Sequence, residues 1–249
     1  MVHVVRFSEG EESYFKLSNP AFNRAKFLGA EQEARYAELA SRSIWLERTF
    51  NINPQGYYRG FLSLIEGKNW HKLLIPPTYL NYDIVSEFYS KALPIEGMRH
   101  PFTTFVRGKE VSFTRYEIND YIDNPLTLEE GEKCAYYKRV CRADWNIELI
   151  KEALILPGRS YVVNASGLLV KFLRKDMNVH AQVLMNLLLY NIKPMSHTSS
   201  IPIDTAYLLY YILDEKQVDA TRVISNEIIM ISSSGHRWGT RTPTTLAFL

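Results

Sequence analysis

The chain has 249 residues, 46% of them hydrophobic and 22% charged, the balance of an ordinary globular protein with material for one large domain or two small ones. A formal net charge of +2 is too mild to mark a dedicated polyanion binder, though it permits such a partner. Two cysteines exclude a disulfide scaffold, and the longest apolar run, residues 206–213, is far too short to span a bilayer.

The opening residues have no charged segment followed by a long apolar stretch, so no secretory signal is expected. The expectation is an intracellular chain, the nucleus included, without membrane contact and with the sequon at Asn164 left unmodified. Asn19 and Pro20 read as an N-cap and a first-turn proline ahead of the helix formers at 30–40. Alternating charges there suggest a solvated face, giving a partly helical, loosely attached extension over 1–44 and a main domain over 45–249.

An apolar-periodic piece covers 57–65, and Pro76-Pro77 then breaks the chain. Asn81 is placed to cap a helix running to Leu93, which Pro94 stops. Residues 102–106 and 110–113 are rich in β-branched and aromatic side chains, and Gly108 lies in the turn between them, so a hairpin is expected. Thr114 with Glu117, and Thr127 with Glu130, have the spacing of capping boxes and should each open a helix. Asp144 should cap a helix over 145–155, and Asp219 another over 220–231.

Residues 179–192 and 201–213 are apolar around their whole circumference, which only burial on nearly all sides satisfies. They should form the heart of the core, with Trp70, Phe88, Phe105, Ile118, Trp145, Leu184, Leu188, Leu208 and Ile212 inside it. The fold class expected is mainly α, an orthogonal multi-helix bundle with one small β-hairpin. From Ser232 onward the composition is that of a loop, ending in an apolar stub at 246–249 that normally continues into something. The tail should be poorly ordered or packed only by its last residues.

Candidate chemistry is sparse. Cys134 and Cys141 are too far apart for a zinc-type pair and have no histidine at ligand spacing, so helical packing of both thiols is expected, with no metal site. Asp204-Thr205-Ala206 resembles the loop motif of retroviral-type aspartic proteases, in which two carboxylates share a proton. Pro202 before it and eight apolar residues after the threonine place Asp204 instead in the first turn of a helix. No set of three carboxylates converges on recognisable strand ends, and His180 and His197, flanking an apolar helix, read as structural. No catalytic residue and no cofactor are assigned.

Two basic groups remain. Lys133, Lys138, Arg139 and Arg142 fall on one expected helix with Tyr136 and Tyr137 among them, and Lys171, Arg174 and Lys175 form the second. Cations interleaved with aromatics can track a phosphate backbone and stack bases, although a solvated helix face looks much the same and the first group shares its helix with Glu129, Glu130 and Glu132.

The order of these pieces carries a resemblance. The runs IEGKNW (65–70), IVSEFY (84–89), FVRGKEVSF (105–113) with EIN (117–119), PMSHTSS (194–200), AYLLYYI (206–212) and VDATRVI (218–224) together resemble the "putative plant transposon protein" domain over about residues 45 to 249. The resemblance implies a domain embedded in products of plant mobile elements, and it transfers no catalytic residue. Family members tend to continue through Phe-Pro-x-Leu-Ile, so this chain reads as truncated at its C-terminus. The function expected is a non-catalytic interaction module with protein partners, self-association included. The alternatives are a nucleic-acid-binding domain using the basic helices and a remnant aspartic protease-like enzyme.

Overall fold

Four of the helices begin where an Asn or Asp side chain takes up free backbone N–H groups. In the computed structural model, which describes residues 23–77, 81–92, 102–124 and 126–233, Asn81 accepts from the N–H groups of Asp83 and Ile84 at 3.0 and 3.3 Å and opens α4 (Tyr82–Lys91). Asn146 and Asn178 do the same for α7 (Ile147–Leu154) and α8 (Val179–Leu187), and Asp219 for α10 (Ala220–Ser233). The remaining α-helices are α1 (Ala30–Ala40), α2 (Arg59–Gly67), α3 (His71–Leu74), α5 (Arg115–Ile122), α6 (Ala135–Arg142) and α9 (Ile203–Leu213). The fold is mainly α, as expected.

Two start signals act differently from expectation. Asp144 lies two residues before the true cap of α7, Asn146. Residues 127–130 form no helix: Leu128 turns into the core, the Glu129 N–H is taken by the Glu132 carboxylate at 3.2 Å, and Gly131 follows at φ +77°. Burial of one leucine and a left-handed glycine outweigh a capping box that fits on spacing alone. The box at Thr114 marks the start of α5, yet the threonine hydroxyl makes no capping bond.

The expected hairpin is present as β1 (Thr103–Val106) and β2 (Lys109–Ser112), turning through Arg107 and Gly108, both with positive φ. Its register puts Thr104 and Val106 inward and leaves Phe105 47% exposed, so Phe105 is no core residue. Phe113, just past β2, is fully buried against Phe88, with ring centroids 5.4 Å apart.

A second sheet corrects the expectation of a single hairpin. Strands β3 (Val162–Val163), β4 (Leu169–Leu173) and β5 (Ser200–Ile201) pair antiparallel in that order. The β3–β4 turn is closed by the Asn164 side chain, which accepts from the N–H groups of Ser166 and Leu168, and by Gly167 at φ +77°. A short 3-10 turn (Arg174–Asp176) leads from β4 to α8.

Every residue from Thr205 to Ile212 of α9 is buried, which accounts for its all-round apolar character. Most of residues 181–192 are buried too, whereas Val179 and His180 at the start of α8 are exposed, and the last turn, Leu188–Ile192, widens to a π-helix. Trp70, Phe88, Ile118, Leu184, Leu188, Leu208 and Ile212 are core residues as expected, while Trp145 is half-buried against Tyr207. Helix α1 lies on α4 with Leu39 and Arg35 buried, a tighter attachment than its alternating charges suggest. Asn19, Pro20 and the tail from 234 onward lie outside the described residues.

Candidate functional site

Helix α6 carries most of the first basic group, and its own geometry limits what that group can do. Cys134 is its N-cap, so Lys133, Glu129, Glu130 and Glu132 precede the helix instead of sharing it. Tyr136 points inward, its hydroxyl donating to the Asp204 carbonyl at 3.3 Å and its ring edge-on to Tyr211. Tyr137 is held by the Asn226 side-chain amide and by the Arg222 guanidinium over its ring. Neither ring is available to stack on a base.

The cations face outward. Lys138 pairs with Glu132 at 3.9 Å, Arg139 pairs with Asp144, and Lys133 lies 3.2 Å from the Cys141 sulfur. Four basic residues at 133–142 are thus set among four acids at 129, 130, 132 and 144, and the local field nearly cancels. Cys141 is exposed, unlike the expected packed thiol, while Cys134 is buried.

The second basic group has different surroundings. Lys171 is on β4, and Arg174 and Lys175 are in the following 3-10 turn. From 153 to 175 the chain contains no Asp or Glu, but it contains Arg159, Lys171, Arg174 and Lys175. The first acid after it, Asp176, is 3.8 Å from Arg159. Among the described residues, Lys171, Arg174 and Lys175 have no ion-pair partner. Along the same stretch Leu156, Val163, Leu168 and Val170 are exposed, Leu168 by 66%. On β4 the face that starts on buried Phe172 runs out through Val170 and Leu168 into solvent.

Acidic side chains elsewhere are engaged in holding elements together. Asp83 on α4 accepts from the Tyr36 hydroxyl and pairs with Lys26 and Arg107. One turn on, buried Glu87 is 2.6 Å from the Lys91 ammonium and accepts from the Arg107 backbone N–H at 3.0 Å. Burial alone would raise the Glu87 carboxyl, but Lys91 and Arg107 hold it below its ordinary value. This cluster fastens α1, α4 and the β1–β2 turn. Asp204 lies in the first turn of α9, 2.5 Å from Lys193, so the protease-like motif is helical and forms no loop. Among the described residues no group of three or more His, Cys, Asp or Glu side chains could hold a metal ion. No helix among them is long and apolar enough to cross a membrane.

One feature was not anticipated from sequence. A shallow cleft of about 270 Å³ is lined by Ala153, Asn178, His180, Leu213 and Asp214, where α7 and α9 end and α8 begins. His180 is exposed there and stacks on Tyr57, with centroids 6.1 Å apart and planes 18° from parallel. Tyr57 sits before α2, not on its apolar face, and is 74% exposed. The adjacent tyrosines at 57 and 58 ahead of a helix were the available signal, hidden because both fit the apolar period of that helix. His197 is exposed and lies outside this cleft lining.

These features define a mainly α domain with two small antiparallel sheets and one acid-free, partly apolar arm. A family model described as "Putative plant retrotransposon-related domain" matches residues 66–244, more than half of the chain, and the chain belongs to that family. No curated protein and no solved structure matches it.

Proposed function

We propose that this domain is a non-catalytic interaction module of a plant mobile-element-derived protein, working inside the cell through protein partners. The observation that carries the reading is the β3–β4 arm, where exposed Leu156, Val163, Leu168 and Val170 accompany four cations without a compensating acid before Asp176. Exposed apolar side chains on this hairpin and on the segment before it suit a partner surface. The positive charge opposes pairing of two arms and favours an acidic partner.

The test is fluorescence anisotropy with a labelled peptide of alternating Glu and Leu. The full chain should bind it at low ionic strength, and the double variant Leu168→Ser, Val170→Ser should lose about tenfold in affinity. Equal binding by chain and variant removes the arm from the role. A metal-dependent nuclease or strand-transfer activity abolished by one carboxylate substitution overturns the non-catalytic reading itself.

A second reading, nucleic-acid contact, is favoured by one specific observation: Lys171, Arg174 and Lys175 lack opposing acids, whereas Lys138 and Arg139 are matched. If the domain contacts phosphate, the second group is the better placed. Lys133 and Arg142 then add little, because Glu132 and Asp144 lie within two residues of them in the chain.

A further inference from the structure

The cleft between the ends of α7 and α9 and the start of α8, the Tyr57 ring against His180, and the segment that leads into α8 offer three things that one ligand class uses together. The first is a stacking surface. Tyr57 is covered on one face by His180 and is otherwise 74% exposed, so a planar ring can extend the column from its free side. Tyr58 buttresses it edge-on, with centroids 5.4 Å apart.

The second is a fixed acceptor beside the stack. Asp214 lines the same cleft as His180, with its carboxylate 2.6 Å from the Lys216 ammonium. That contact holds it ionised, below its ordinary carboxylate range. Asn178, also in the lining, has both ends of its amide in use, accepting from the Ala181 N–H and donating to the Ala153 carbonyl. It shapes the cleft, whereas the Asp214 carboxylate, which accepts from Lys216 and Tyr210, has further lone pairs with which to accept from a ligand N–H. The third is unopposed positive charge on the strand and turn that lead into α8, at Lys171, Arg174 and Lys175.

We propose that this cleft is a base-stacking site for single-stranded nucleic acid, with Tyr57 and His180 as the ring platform and Asp214 accepting from an exocyclic amine. The inference rests on the nucleic-acid reading and moves its centre from α6 to the start of α8. A duplex is excluded as the ligand, because its stacked bases offer no free face to Tyr57. A sugar ring would meet the tyrosine as well, but it would leave the three cations without phosphates to neutralise.

The test is anisotropy of labelled oligo-dC, oligo-rC, oligo-dT and a duplex of the same length, using the full chain at low ionic strength. Single strands should bind more tightly than the duplex. Tyr57→Ala should weaken them about tenfold, in line with the loss of one base stack, and Tyr57→Phe should restore most of the affinity. Asp214→Asn should bring oligo-dC down towards oligo-dT, since a carboxylate is the better acceptor for the cytosine amine. A triple Lys138→Ala, Arg139→Ala, Arg142→Ala variant should bind like the parent. If strands bind but respond only to the triple variant, this site falls and the nucleic-acid reading survives on α6. If no oligonucleotide is retained, both fall. Equal affinity for the DNA and RNA strands fits a site that reads the base, whereas binding of only one sugar type overturns that description.

Discussion

The side-chain amide of Asn191 is hydrogen-bonded to both backbone polar groups of Arg48, accepting from its N–H at 2.9 Å and donating to its carbonyl at 2.7 Å. It also donates to the Leu73 carbonyl at 2.7 Å, and it is completely buried. The π-turn Leu188–Ile192 thus brings to the interior an amide that the extended segment around Arg48 uses as a neighbouring strand would be used. The adjacent Tyr190 stacks on Trp45 and lies under the Arg48 guanidinium, which closes the same joint from outside. Replacing Asn191 by Leu keeps the number and branching of the side-chain heavy atoms and leaves three backbone groups without partners. Stability should fall by about 2–4 kcal/mol in urea unfolding, because each buried unsatisfied group carries a desolvation cost. A loss under about 1 kcal/mol would show that the segment is held by Trp45 and Tyr190 alone.

Glu87 sets an acid limit to stability. Its folded-state pKa lies below the ordinary 4.5, so its stabilising effect is full above that value and disappears as pH falls through the lower, folded one. Glu87→Gln should destabilise by about 3 kcal/mol at neutral pH, because Lys91, only 7% exposed, is left as an uncompensated cation. The gap between parent and variant should narrow steadily below about pH 4.5, where the unfolded parent takes up a proton at Glu87 while the folded carboxylate is still ionised. Thermal unfolding of both proteins across that range measures it, and a gap independent of pH would assign the effect to shape alone.

Much of this architecture was legible, and the failures have identifiable causes. Helix α9 announced itself because a helix buried on every side has no polar face to disguise it. The β1–β2 hairpin was readable because Gly108 supplies the turn between β-branched runs. Its facing was misread, since Phe105 looks like core until register places Thr104 and Val106 inside. The β3–β4 pair is hard to read although Val162, Val163 and Asn164 carry an ordinary strand-and-turn signal, because each strand is short and the turn coincides with a sequon. The basic residues were visible, but the acids that meet them at α6 come from before and after the helix, and the cleft at α8 joins residues from three separate segments, with Tyr57 brought to His180 from a fourth. No spacing rule contains that information.

The register of β1 makes a pair of substitutions informative. Phe105→Ser should change stability by no more than about 0.5 kcal/mol, as expected for an exposed side chain. Phe113→Ala should cost about 3–5 kcal/mol, since a fully buried ring packed on Phe88 is removed. Chemical denaturation of the two single variants decides it, and a reversed order would mean that the hairpin is shifted by one residue.

Arg35 joins three helices through their backbones. Its guanidinium donates to the Tyr89 carbonyl at 3.1 Å near the end of α4, and to the Ile231 and Ser232 carbonyls at the end of α10. These are carbonyls that the last turn of a helix leaves open, and a cation there also meets the negative end of each helix dipole. Burial pulls the Arg35 pKa down from its usual value, and among the described residues its direct partners are backbone carbonyls, which carry the solvation that water would otherwise provide. Arg35→Met keeps much of the apolar stem and removes the donors. It should cost about 2–3 kcal/mol and raise hydrogen exchange at the ends of α4 and α10 before the rest of the core responds. Arg35→Lys should recover only part of the loss, because a single ammonium cannot reach two helix ends with the geometry of a planar fork. Full recovery by lysine would reduce the joint to charge alone and leave the attachment of α1 to Leu39 and its packing on α4.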